Sequence, residues 1–321
     1  VLWAVATLTF IVLRLVPGSA IDSVILFNNL SVEQVTAYKA QWNLDKPMWE
    51  QYFYFARDLS RGDLGFSMTS AVPVTRLLWE KLPPTIELAV VAMTISSIIG
   101  IGAGVISSVT RNRAVDFVVR TGAMFGMSVP WFWIAIVLII IFSVNLGWLP
   151  VGGRMGVEVS YKTITNFMFI DTIITGNWHA FFSFLRHLTL PAIAIGLTSA
   201  GYVARLTRAA MLEVLRTEYV RTARAKGLLG RAVTLKHAFR NALLPILTFQ
   251  GLHFGTLLGG AVITEMVFAW PGLGRLLLDG ILKRDYPVVQ ATVLVVACIY
   301  VLVNLVIDLL YYVVDPRLRR Y

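Results

Sequence analysis

The chain has few of the residues that carry covalent or metal chemistry. Its single cysteine, Cys298, excludes an internal disulfide and a cysteine-based metal site. Four histidines, His179, His187, His237 and His253, are scattered with no His-x-x-x-His pair to share a helix face, so no metal site is expected. No G-x-x-x-x-G-K-[ST] run occurs, and P-loop nucleotide hydrolysis by this chain is therefore not expected. Charge is scarce as well: 14% of residues are Asp, Glu, Lys or Arg, against about 25% in an ordinary soluble domain.

What is present is apolar sequence, 57% of the 321 residues. A bilayer core of about 30 Å takes about 20 consecutive apolar residues in a helix, and several stretches reach that length. Six spans are expected: Val1 to about Val16, Thr85 to about Val109, Phe117 to about Leu146 with a kink at Pro130, His187 to about Leu206, Ala242 to about Phe268, and Val288 to about Val314. The fold class predicted is an all-α integral membrane protein. The first run starts abruptly and without Met, so a short N-terminal stretch is expected to precede it. Arg14 followed by Pro17-Gly18 would also suit a signal-peptide core, but no small-residue cleavage pattern follows.

A net charge of +10 has the sign that nucleic acid selects, yet its placement is that of membrane topology. Arg205–Arg240 holds nine Lys/Arg and two acids, Glu213 and Glu218, whereas Ser19–Pro84 holds six basic and seven acidic residues. With the Arg205–Arg240 loop in the cytoplasm, Arg111, Arg113 and the tail Arg317-Leu318-Arg319-Arg320 also fall inside. Ser19–Pro84, Gly147–Arg186 and Ala269–Pro287 fall outside. The positive-inside rule then predicts both termini in the cytoplasm of a multi-pass plasma-membrane protein. The expected organisation is a first transmembrane helix over 1–18, an external segment with amphipathic helices over 19–84, and a five-helix core over 85–321 with a cytoplasmic loop at 207–241. Within the external segment Ser31–Arg61 reads as helix, Ser31 and Gln34 forming a capping box. Its aromatics Trp42, Trp49, Tyr52, Phe53 and Phe55 are suited to packing on the membrane surface or on a partner. Asn166–Ile174 is too short to cross, is interrupted by Asp171, and is predicted as an interfacial helix.

Two glycine groups lie inside spans. Gly100-Ile101-Gly102-Ala103-Gly104 superficially suggests a dinucleotide loop, but no strand precedes it and the third glycine is misplaced, so it reads as close helix packing. Gly251, Gly255 and Gly259 recur every four residues on one helix face. That face serves either packing within the chain or contact with a partner subunit or a translocation path. Together with His253 these are the candidate pore residues. Glu87, Glu265 and Asp308 are intramembrane acids, costly and therefore informative; structural pairing fits them better than a proton relay, because no chain of acids crosses the spans.

The inside loop contains Glu218-Tyr219-Val220-Arg221-Thr222-Ala223-Arg224-Ala225-Lys226-Gly227-Leu228 and, later, Lys236-His237-Ala238-Phe239-Arg240-Asn241-Ala242-Leu243-Leu244-Pro245. Good helix formers followed by glycine predict a helix–turn element. Its exposed face would be cationic and small-sided, suited to a groove on another protein. Charge alone does not separate this from an ordinary positive-inside loop.

At this loop the chain resembles the permease subunits of ATP-binding-cassette importers, in the dipeptide/oligopeptide/nickel branch. Arg221–Gly227 is similar to that branch's coupling motif, with Arg221-Thr222-Ala223 in place of the usual Glu-Ala-Ala opening. The resemblance runs along nearly the whole chain: Leu44-Asp45-Lys46-Pro47, Arg61-Gly62-Asp63-Leu64-Gly65, Leu82-Pro83-Pro84-Thr85-Ile86-Glu87-Leu88, Leu146-Gly147-Trp148-Leu149-Pro150, His187-Leu188-Thr189-Leu190-Pro191-Ala192, Val267-Phe268-Ala269-Trp270-Pro271-Gly272-Leu273-Gly274-Arg275 and Arg284-Asp285-Tyr286-Pro287. Ser19-Ala20 stands where the family often has Asp-Pro, and Gly153–Arg186 is a long insert.

The resemblance implies a type I importer permease fold and the first of two permease subunits. It implies a homologous second permease, two cytoplasmic ATPases that bind ATP and magnesium, an external solute-binding protein, and a bacterial or archaeal inner membrane. The chain itself would hold no cofactor and perform no catalysis. Glu218, Tyr219, Arg221, Thr222, Ala223, Arg224, Ala225, Lys226 and Gly227 would contact the ATPase. Peptides are the expected substrate, with nickel, glutathione-like tripeptides and sugars among close relatives' cargoes. A secondary transporter would be expected to show inverted repeats, and a membrane enzyme clustered His, Asp or Glu; neither pattern is visible.

Overall fold

A computed structural model describes residues 1–16, 18, 31–110, 112–260 and 262–314. Pro17, Ser19-Ala20, Arg111 and the tail Arg317–Arg320 lie outside the described residues. Among the described residues every regular element is helical, apart from a β-bridge between Phe66 and Pro73.

The first apolar run forms α1, Leu2–Leu15. Ser31–Arg61 forms two helices rather than one: α2, Val32–Gln41, and α3, Met48–Ser60. Asn43, at φ 53°, and Pro47, which lacks an N–H, interrupt the helix between them. The predicted capping box is present, the Gln34 amide N–H donating to Ser31 Oγ at 3.3 Å and the Ser31 N–H to Gln34 Oε1 at 2.8 Å. The aromatics of α3 divide by face: Tyr52 and Phe55 pack on Phe10 of α1, while Trp49 and Phe53 are exposed.

The second span starts earlier than expected. Helix α4 runs Val74–Val109, straight through Pro83-Pro84. A proline pair inside a helix forfeits ladder bonds, but both prolines are buried here. Val74 and Leu78, a turn or two before them, sit in a packed cluster with Leu273 and Val288. Burial overrides the local stop signal. The third span is no gently kinked helix: α5, Arg113–Ser128, and α6, Trp131–Leu138 continuing as a π-helical turn over Ile139–Asn145, are bent by 99°. Val129 before Pro130 takes extended angles, φ −87° and ψ 129°, the region a pre-proline residue favours. A short α7, Met168–Ile174, precedes α8, Trp178–Leu215, which outruns the expected His187–Leu206 at both ends. Asn177 caps α8 by accepting from the Ala180 N–H.

The Arg205–Arg240 loop holds α9, Glu218–Ala225, then a helical turn at Gly230–Ala232 and a π-helical turn over Val233–Phe239. That turn feeds α10, Arg240–Gly260, followed by α11, Val262–Val267, α12, Leu273–Leu282, and α13, Tyr286–Val314. The expected fifth span falls on α10 and α11, with residue 261 between them outside the described residues. By length and apolarity α4, α8 and the Tyr286–Leu309 stretch of α13 each suffice to cross a membrane, and α5 with α6 make a fourth if the bent pair counts as one span. All six expected runs fall on helices, but α1 is short and α10 carries Gln250 and His253, which lower its apolarity.

Two compact units are distinguished. The first comprises Val1–Thr85 with Pro271–Ile299, and the second Ile86–Trp270 with Tyr300–Tyr321. In the first, Asp285 is 1% exposed and organises the 67–69 loop: Ser67 Oγ donates to Oδ2 at 2.6 Å, Thr69 Oγ1 at 2.9 Å, and the Met68 N–H to Oδ1 at 3.1 Å. The second has its main core around Leu88, Ala92, Phe184, Leu188 and Trp270.

Candidate functional site

The basic loop element is built from the end of α8. Thr217 turns the chain, its hydroxyl donating to the Val214 carbonyl, and α9 begins with Glu218, whose charge suits a helix N-terminus. Glu218 pairs with Arg221 one turn on at 2.7 Å. Val220 and Ala223, three apart and hence on one face, are buried against Val233, Val214 and Leu215. The helix ends as predicted for a glycine stop: the Gly227 N–H bonds the Arg224 carbonyl and the Leu228 N–H the Ala223 carbonyl, which is the Schellman pattern. Gly227 holds φ +76° with open space around it. The sequence-selected residues divide cleanly. Glu218, Tyr219, Arg221, Thr222, Arg224, Ala225, Lys226 and Gly227 are exposed, and Ala223 is buried.

Two residues were missed by sequence reasoning. Leu228 and Leu229 are 44% and 80% exposed, an apolar tip beside the cationic face. The signal was a Leu-Leu pair directly after the stop glycine. A hydrogen bond from Asn241 Nδ2 to the Tyr219 hydroxyl, at 2.9 Å, ties α9 to the first turn of α10. The same amide donates to the His237 carbonyl.

Further along α10 lies His253. Its Nε2 meets Ser199 Oγ of α8 at 2.6 Å and its ring stacks on Phe249 at 5.6 Å. A cavity of ≈ 360 Å³ opens beside it, lined by Trp131, Thr198, Ser199, Tyr202, Thr256 and Thr264 among others. Gly251 and Gly255 point elsewhere. A Cβ on Gly251 would strike Ile307, and one on Gly255 the Tyr300 ring, both of α13. Two residues along a helix turn the side chain by about 200°, so His253 does not share the glycine face. Gly259 lies in α10.

This arrangement is an exposed cationic helix linked through α10 to a largely apolar cavity with a polar contact, His253–Ser199, at its edge. The family model that matches the chain, over residues 96–320, describes the binding-protein-dependent transport system inner membrane component. The chain belongs to this family. It is 44% identical over 99% of its length to a di/tripeptide transport system permease of Pseudomonas aeruginosa, covering 94% of that protein. It is 42% identical to a dipeptide permease of Alkalihalophilus pseudofirmus, over 99% of this chain and 96% of that one. The fold is similar to an inward-facing MetNI methionine ABC transporter structure, at TM-score 0.57 and 18% identity over 74% of this chain and 96% of that chain. The protein is thus an inner-membrane permease of the ABC importer class.

The permease's intramembrane acids have different surroundings. Glu87 is paired: Arg154 Nη2 lies 2.5 Å from Oε2 and also donates to the Asn166 carbonyl, and the Phe169 N–H donates to Oε1. Glu265 is buried in α11, and Asp308 is exposed on α13. Asp171, which interrupts the apolar run of α7, is buried at 0% exposure, accepting from the N–H groups of Ile164, Thr165 and Asn166 and from Thr165 Oγ1. Burial pushes its carboxyl up, but these hydrogen bonds outweigh that and hold it below the ordinary carboxylate range. Ile170, Ile173 and Ile174 are the exposed apolar side of α7.

Proposed function

We propose that the permease is a pore subunit of an ATP-driven importer of di- or oligopeptides. The substrate reading rests on its likeness, over almost the full length of both chains, to the di/tripeptide permease. A second homologous permease completes the pore, and two cytoplasmic ATPases bind ATP and magnesium. An external solute-binding protein delivers the peptide. Both termini face the cytoplasm, since that orientation puts α9 and its basic neighbours inside.

The observation that supports the mechanism is the Tyr219–Asn241 hydrogen bond. Helix α9 buries only Val220 and Ala223 in its own chain and leaves its cationic side free for an ATPase groove, with Leu228 and Leu229 as apolar anchors. Closure of the ATPases on ATP moves α9, and the link to Asn241 carries that movement into α10. The His253–Ser199 contact then carries it to α8. Two packings of these helices expose the cavity to opposite sides, and ATP and the loaded binding protein bias their equilibrium. The chain makes and breaks no covalent bond. Purification in mild detergent tests the composition: recovery of two P-loop ATPases and a second permease supports it, and recovery of this chain alone, under conditions that preserve known complexes, overturns it.

A further inference from the structure

We infer that the groove between α5 and α8 is a binding site for one anionic phospholipid of the cytoplasmic leaflet; the leaflet assignment rests on the orientation proposed above. Residues 187–204 of α8 carry no Asp, Glu, Lys or Arg. At 1.5 Å per residue that is about 27 Å of helix, close to the hydrocarbon thickness. Arg186 and Arg205 bracket this stretch, so Arg205 stands at the level of the inner headgroups.

A cavity of ≈ 330 Å³ opens at that level, with Arg120, Arg205 and Arg208 in its wall and Ala123, Met124 and Met127 along its floor. Its floor is set by a close helix crossing: a Cβ on Gly201 would lie 2.6 Å from the Ala123 carbonyl oxygen and 3.2 Å from Met127. Gly201 is one turn from Arg205, toward the membrane interior, so the apolar floor runs inward from the cationic mouth.

The arginines have different tasks. Arg208 is fixed, its Nε and Nη2 on the two Asp116 carboxylate oxygens at 3.0 and 3.1 Å, with Ser107 also donating to Asp116. Arg120 reaches the same carboxylate only at 3.9 Å, and Arg205 is exposed, with no partner among the described residues. Two guanidiniums therefore share the Asp116 carboxylate and Arg205 has none, so that Arg120 and Arg205 keep forks free for a phosphodiester, the geometry in which arginine surpasses lysine. A free phosphate would use the mouth but not the floor. A phospholipid uses both, its acyl chain lying along Ala123–Met127, where the flexible methionines accommodate it. Basic pockets between spans on the cytoplasmic side have the chemistry that headgroups require.

The test is native mass spectrometry of the purified importer complex, titrated with phosphatidylglycerol and with phosphatidylcholine of matched chains. The unaltered complex is expected to retain phosphatidylglycerol preferentially, and soluble glycerol phosphate is expected not to displace it. Arg120→Gln and Arg205→Gln should each weaken retention about fivefold, with Arg205→Lys intermediate and the complex intact. Equal retention of the two lipids overturns the assignment, as does displacement by glycerol phosphate. Failure of the Arg205→Gln complex to assemble also overturns it, since the groove would then face a partner subunit. Peptide uptake in the same preparation is read separately, so failure of the peptide reading leaves preferential lipid retention in place.

Discussion

The Asn241 side-chain amide donates to the Tyr219 hydroxyl at 2.9 Å, joining a helix that buries two of its residues in this chain to the one that carries His253. Tyr219→Phe removes the hydroxyl and keeps the ring. With a typical hydrogen bond worth about 1 kcal/mol, the number of peptides moved per ATP is expected to fall by up to about fivefold while ATP hydrolysis continues. Transport and hydrolysis measured on one proteoliposome preparation give the ratio. An unchanged ratio removes this bond from the coupling route.

Gly227 tests the same element through the backbone. Its φ of +76° and the open space around it make the cost of a side chain conformational rather than steric. A left-handed non-glycine residue costs about 1–2 kcal/mol, so Gly227→Val is expected to unseat the Schellman turn and uncouple hydrolysis from uptake. Gly227→Asn should be milder because asparagine tolerates this region. Both variants should reach the membrane in normal amounts. Normal uptake by Gly227→Val would rule out α9 as the coupling element.

His253 and Ser199 form the polar contact beside the cavity. Ser199→Ala is expected to reduce uptake by a few-fold and to leave complex assembly unchanged, in line with loss of one hydrogen bond of about 1 kcal/mol. His253→Ala, which also removes the stack on Phe249, should cost more. Peptide uptake at matched protein levels is the measurement, and equal wild-type rates in both variants would move the substrate path away from this cavity.

Glu87 and Arg154 are 3% and 12% exposed as side chains. Removing one partner of a buried pair costs about 3–5 kcal/mol, so Arg154→Met is expected to lower the unfolding temperature sharply in a detergent thermal-shift assay. Adding Glu87→Gln to it should recover part of the loss, because the stranded carboxylate disappears. If Glu87 relayed protons instead, Glu87→Gln would abolish uptake without lowering stability.

Asp171 sets a pH dependence for the 153–176 loop. Its carboxyl is held below the ordinary range by the hydrogen bonds it accepts. A carboxylate depressed in the folded state contributes stability that is fully present above its unfolded pKa and is lost as pH falls through the folded one. Protease resistance of this loop is therefore expected to stay flat from neutral pH down to about pH 5 and to fall only below the usual carboxylate value of about 3.9. Asp171→Asn should open the loop to cleavage already at neutral pH. A loss of protection centred near pH 6 would assign the loop's stability to another group.

What was legible in the sequence was local. Ser31 with Gln34 announced a capping box, and Gly227 after a run of helix formers announced a Schellman stop; both depend on residues within a few positions of each other. The membrane runs were legible from apolar length. The less legible features depend on distant contacts. Pro130 marked a break, but nothing nearby sets its angle at 99°. Pro83-Pro84 suggested a helix start that burial against Leu273 and Val288 cancels.

The candidate site follows the same division. The coupling helix could be read because charge, small side chains and glycine are adjacent in the chain. Ser199 as the partner of His253 could not, since the two are 54 residues apart, and no periodicity connects them. Asp171 looked like a flaw in an apolar helix because three of its four donors at 164–166 are backbone N–H groups, invisible to any pattern of side chains.

The decisive measurement is uptake of a radiolabelled dipeptide into proteoliposomes that hold the purified complex with its ATPases facing the lumen. ATP is trapped inside and the binding protein supplied outside. Uptake is expected only when ATP and the binding protein are both present, and Gly227→Val is expected to lose it while still hydrolysing ATP. Peptide uptake by this chain in the absence of ATPases and ATP would contradict the assignment and make it a self-sufficient carrier.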